Sequence, residues 1–117
     1  MTDRKKFRGE YRDLVKAVTN AGFFVTDMPL DDGGDRVVCC GLRREQGGYT
    51  GNSFWLAERS GRWYVGAWGG HLYHMESSRS ANLLALDWLS ANKTITAYDV
   101  PSDLKLEYGL VPVDDLD

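Results

Sequence analysis

The sequence predicts an α+β fold: an antiparallel sheet of about four to six strands around a three-stranded meander, with a helix before it and helices after it. Three observations carry this. Residues 54–59, 62–68 and 71–75 are β-prone runs separated by Ser60-Gly61 and Gly69-Gly70, which suit two-residue turns. Apolar residues recur at helical spacing over 4–20 and 80–92. Finally, 117 residues with 43% hydrophobic and 26% charged composition describe one ordinary globular domain over 1–117, able to bury a core without staples.

The first helix is expected over 4–20, where Phe7, Tyr11, Leu14, Val15 and Val18 form one stripe. Thr2 or Asp3 can cap its start, and Asn20 and Gly22 tolerate the left-handed conformation that ends a helix. A short strand follows at 23–26, then a turn at 31–35, then a second strand at 36–42. Residues 45–52, with three glycines, are expected to be a mobile loop before the meander. Ser77, Ser78 or Ser80 can cap the helix at 80–92, whose buried face is Ala81, Leu84, Ala85, Trp88 and Leu89. Residues 94–98 are expected to be a further strand. Pro101 opens a short helix over 101–108, and Gly109 ends it with Leu110 folding back onto apolar neighbours.

Two-residue turns fix a register, because side chains alternate across a sheet and a one-residue slip exchanges its faces. The first hairpin then pairs Trp55 with Gly66, and the second pairs Gly66 with Tyr73. One face carries Phe54, Leu56, Trp63, Val65, Ala67, Leu72 and His74. The other carries Trp55, Tyr64, Gly66, Trp68, His71, Tyr73 and Met75, a glycine floor walled by aromatic rings. A half-covered sheet normally alternates apolar with polar, so aromatic groups on both faces require that something cover the second. Two explanations stay open. A helix or residues 101–113 cover it and make it core, or it is a binding face, for which Trp, Tyr and Arg are the enriched anchors.

Motifs for chemistry are weak. His71 and His74 are three apart, which on a strand sends them to opposite sides, and no Cys, Asp or Glu stands at ligand spacing, so no metal and no cofactor is predicted. The glycines of 47–52 lack the Gly-Lys-Ser/Thr ending of a phosphate loop. Cys39 and Cys40 are chain neighbours, a poor disulfide geometry, and suit a reducing compartment. Glu58, facing Trp63 beside the turn, reads as a surface charge. No catalytic constellation emerges.

A net charge of −3 argues against nucleic-acid binding through bulk electrostatics. The charge is uneven, with bases gathered in residues 1–16 and acids in 99–117. No apolar run is long enough for a membrane span and the first residues lack a signal-peptide core, so the chain is expected in the cytoplasm with no membrane partner. The function these features favour is a non-enzymatic protein-binding module, using Trp55, Tyr64, Gly66, Trp68, His71 and Tyr73, or the acidic C-terminus, to engage another protein or a second copy of itself as a homodimer. The alternative is a small-molecule or enzymatic site in a groove over Gly66, with His71 as the titrating group.

Overall fold

In the computed structural model, which describes residues 9–28, 36–43, 49–75, 78–95 and 97–113, six strands form one antiparallel sheet in chain order. They are β1 (Phe24–Asp27), β2 (Val37–Arg43), β3 (Tyr49–Arg59), β4 (Arg62–Gly66), β5 (Leu72–Met75) and β6 (Val111–Pro112). Helix α1 (Gly9–Asn20) precedes them, and α2 (Ser78–Ala91) and α3 (Ser102–Glu107) lie between β5 and β6. The fold is α+β, as the sequence predicts. Phe7, the caps at Thr2, Asp3 and Ser77, the turn at 31–35, the loop at 45–48 and the last three acids lie outside the described residues.

Helix ends follow from glycine chemistry. Gly22 has φ +93°, the Phe23 N–H donates to the Val18 carbonyl, and the Gly22 N–H donates to that of Thr19. This crossed pair satisfies two carbonyls the helix leaves open, and it turns Phe23 back onto the core. The end of α3 repeats it: Gly109 has φ +57°, Leu110 N–H donates to Lys105 and Gly109 N–H to Leu106, and Leu110 packs on the core.

The predicted strand at 94–98 is corrected: the described residues there are turns and bends. Asn52 N–H donates to the Lys93 carbonyl, and Gly69 N–H to that of Tyr98. The segment therefore crosses one end of the sheet, held at two points, instead of running alongside a strand. The sixth strand comes from Val111–Pro112, which pairs with β5. β3 also begins earlier than expected, because residues 49–52 are strand. Cys40 pairs with Ser53 but Leu42 with Thr50, so β3 carries one extra residue at Gly51, whose φ of +78° makes the bulge. Cβ atoms on Gly41 and Gly51 would stand 2.4 and 2.5 Å from the Lys93 carbonyl oxygen, so two glycines open the space in which α2's exit meets the sheet.

The first hairpin has the predicted register, Trp55 to Gly66 and Glu58 to Trp63, closed by Ser60 and Gly61 with φ +55° and +81°. The second does not. β4 pairs Gly66 with Leu72, Val65 with Tyr73, and Tyr64 with His74, one residue away from expectation. Its loop is Trp68-Gly69-Gly70, three residues long. Ala67 N–H donates to the His71 carbonyl and Gly70 N–H to that of Ala67, and Gly70 alone takes a positive φ, +91°. A turn followed by one left-handed residue is the favoured three-residue hairpin. The slip exchanges the faces of β5, so Tyr73 and Met75 point into the core and Leu72 and His74 point out.

The core lies between one sheet face and all three helices. Val37, Cys39, Phe54, Leu56, Trp63, Val65, Tyr73 and Met75 meet Tyr11, Leu14 and Val18 of α1, Ala81, Leu84, Ala85, Trp88 and Leu89 of α2, and Leu104 of α3. Phe54 stacks on Trp88 with ring centroids 4.1 Å apart and planes within 3°. Tyr11 meets Trp63 edge-on at 5.2 Å, and its hydroxyl oxygen accepts the Glu58 N–H at 2.9 Å. Burying a large apolar side chain contributes roughly 1.5–3 kcal/mol, so this inner face dominates stability. Glu58 is half-buried, and its Oε2 accepts the Gly61 N–H at 2.6 Å.

Candidate binding face

The outer face is built by alternation. Val38, Cys40, Ser53, Trp55, Ala57 and Arg59 on β2 and β3 point away from the helices, as do Arg62, Tyr64 and Gly66 on β4 and Leu72 and His74 on β5. Val38, Cys40, Ala57 and Tyr64 are buried, yet none belongs to the cluster formed with the helices. Residues 101–113 do not cover this face: Leu104 packs into the inner core and Val111–Pro112 extends the sheet edge.

Trp55 is the centre of the face. Its ring lies flat across Gly66, where a Cβ would stand 2.0 Å from two ring carbons. The space over the glycine is thus filled by the neighbouring indole. The Arg36 guanidinium carbon sits 5.1 Å from that ring's centroid, a cation–π arrangement. Tyr64 meets His74 edge-on at 6.3 Å. At one end Trp68, 40% exposed, donates its indole N–H to Ser53 Oγ at 2.9 Å. At the other end Arg59 and Arg62 stand directly opposite each other. There a cavity of about 370 Å³ is lined by Ser60, Gly61, Arg62, His74 and Met75, and among the described residues His74 Nδ1 is buried with no hydrogen-bond partner.

Of the residues the sequence nominates, Trp55, Tyr64 and Gly66 share this face and Trp68 is tied to it through Ser53. His71 is exposed at the foot of the second hairpin loop. Tyr73 is on the inner face, 6% exposed. Its hydroxyl donates to Asp99 Oδ1 at 2.7 Å, Val100 N–H donates to the same oxygen, and Lys105 Nζ donates to Asp99 Oδ2 at 2.9 Å. Burial, reinforced by the hydrogen bond to Asp99, raises the Tyr73 pKa. Burial also pushes Asp99 upward, but the hydrogen bonds from Lys105, Tyr73 and Val100 together outweigh it and hold the carboxyl below its ordinary value. This satisfied network ties α3 to β5. A second tie joins the α3 end to α2, through the Tyr108 hydroxyl donating to Asp87 Oδ2.

Arg36, Ser53, Leu72 and His74 were not nominated. Leu72 and His74 were hidden by the one-residue slip, whereas Arg36 was legible in principle, since it stands two residues before Val38 on the outward parity of β2. Cys39 is fully buried, and burial, with Cys40 beside it, pushes its pKa up to about 12, which marks an inert packing thiol. Among the described residues no group of three or more His, Cys, Asp or Glu is placed to hold a metal ion, and no helix is long and apolar enough to cross a membrane. No protein-family model, no curated protein and no solved structure matches the chain.

Proposed function

We propose that this chain is a non-enzymatic protein-binding module that takes a short acidic segment of a partner protein on its outer sheet face. The observation that carries this is the composition of that face. Its charged side chains among the described residues, Arg36, Arg59 and Arg62, are all cationic in a chain of net charge −3. They border an aromatic and aliphatic strip of Trp55, Tyr64, Leu72 and Trp68. Large planar anchors beside arginine are the groups that dominate protein interfaces, and like-signed fields steer partners of opposite sign.

The same charge argument weighs against the homodimer. Two copies meeting through this face would bring arginine against arginine, an arrangement that costs free energy unless acids intervene.

A displayed random-peptide library panned against the folded chain tests the proposal. Enriched peptides are expected to combine Asp or Glu with aromatic or aliphatic residues, and to lose binding to a Trp68→Ser/Leu72→Ser variant. Both positions are outward, so that variant is expected to unfold within about 2 kcal/mol of the parent. Peptides lacking acids, or peptides that bind the variant as well as the parent, would overturn the proposal.

A further inference from the structure

We infer that residues 99–113 form a detachable strap, which opens as one unit and uncovers the edge of β5 while the remainder of the fold stays closed. The strap has little internal stability. α3 has six residues, where an isolated helix needs roughly 12–15 to be even marginal in water, and β6 has two, both exposed. The strap's buried side chains are Val100 and Leu104, with Tyr108 and Leu110 partly buried against the core. Helices α1 and α2 close the rest of the core over Phe54, Leu56 and Val65 without it. Opening free energies within one domain range from near zero to the global value, and segments that bury few apolar side chains lie at the low end.

The polar contacts that hold the strap converge on its first residue. Asp99 accepts the Tyr73 hydroxyl of β5 and the Val100 N–H at Oδ1, and the Lys105 ammonium of α3 at Oδ2. One carboxylate thus joins the start of the strap to both the sheet and the helix. Two further ties are the Tyr108 hydroxyl on Asp87 of α2 and the Val113 N–H on the Leu72 carbonyl. Just before the strap, the Tyr98 carbonyl accepts the Gly69 N–H, so the hinge falls between that anchor and Asp99. In the closed form β6 ends the sheet with Pro112, which lacks an amide N–H and blunts the edge against further pairing. Release frees the Leu72 carbonyl and replaces that edge with β5, Leu72–Met75, which contains no proline. Extended segments add to sheet edges of this kind.

Native-state hydrogen exchange by NMR, in urea below the unfolding transition, tests this. The Tyr108, Leu110 and Val113 amides are bonded to the Leu104, Lys105 and Leu72 carbonyls. They are expected to exchange at least about tenfold faster than the slowest amides of β3 and β4, with one shared and shallower dependence on urea. Val18→Ala, in α1, is expected to speed the slow amides of β3 and β4 about tenfold or more and to leave those three unchanged, because the strap-open state keeps Val18 buried. Asp99→Asn should speed all three by about fivefold. One opening rate and urea slope for strap and sheet alike, or strap amides that accelerate with Val18→Ala, would overturn the strap as a separate unit. Exchange of the three amides in Asp99→Asn that matches the parent would overturn Asp99 as its tie. The urea dependence of the parent decides the first point even where Val18→Ala does not fold.

Discussion

A methyl group on Gly66 would stand 2.0 Å from the Trp55 ring, so Gly66→Ala must lift the indole off the sheet and away from Arg36. The expected cost is about 1–3 kcal/mol by urea unfolding, with a change in tryptophan emission in the folded state. Burial makes a different prediction for the thiols. Cys39 and Cys40 are both 0% exposed, so Ellman's reagent should find neither in the folded protein and both in denaturant. Asp99 gives a pH signature. Its folded pKa lies below its ordinary value, so its contribution is present above the unfolded pKa and is lost as pH falls through the folded one. The Asp99 side chain is 34% exposed, and screening limits the effect to about 1 kcal/mol. Asp99→Asn should therefore be less stable than the parent near pH 6, with the gap closing in acid; a gap that widens on acidification would contradict the network described for Tyr73, Asp99 and Lys105.

At the scale of elements, what was legible in the sequence depended on whether the deciding interaction was local. The ends of α1 and α3 were legible because Gly22 and Gly109 act within one turn. The first hairpin was legible because Ser60-Gly61 fits a two-residue turn and little else. Gly69-Gly70 was ambiguous: it suits the tip of a two-residue loop, and equally a three-residue loop that needs a left-handed residue only at its last position. The second arrangement formed, and the faces of β5 exchanged, which is why Tyr73 was assigned to the outer face in place of Leu72 and His74. The anchoring of Lys93 and Tyr98 at the sheet end was not legible, since it rests on contacts with Asn52 and Gly69 distant in the chain. That anchoring carries its own prediction. A Cβ on Gly41 would meet the Lys93 carbonyl oxygen at 2.4 Å, a backbone atom that side-chain rotation cannot relieve. Gly41→Ala should cost about 2–3 kcal/mol by urea unfolding, well above a surface substitution, and an unchanged midpoint would mean that α2 does not exit over this strand.

For the whole molecule, the one-sided arrangement of helices is the fact on which the proposed function rests. All three helices join one cluster with the inner face, and the outer face carries half-buried Trp55 and Leu72, exposed Trp68 and the buried Tyr64, with arginines at its borders. Other large apolar side chains are exposed, among them Leu83 on α2 and Leu106 on α3, at 43% and 85%, with Ile95, Tyr98 and Val111 outside the helices; Leu83 and Leu106 lie on the helix side of the molecule. Side-chain cross-saturation NMR with a selected acidic peptide distinguishes these surfaces most directly. The account predicts saturation transfer to the Trp55 and Trp68 indoles, the Tyr64 and His74 rings and the Leu72 methyl groups, with Leu83 and Leu106 silent. Transfer to Leu83 or Leu106, with the outer-face rings unaffected, would contradict it.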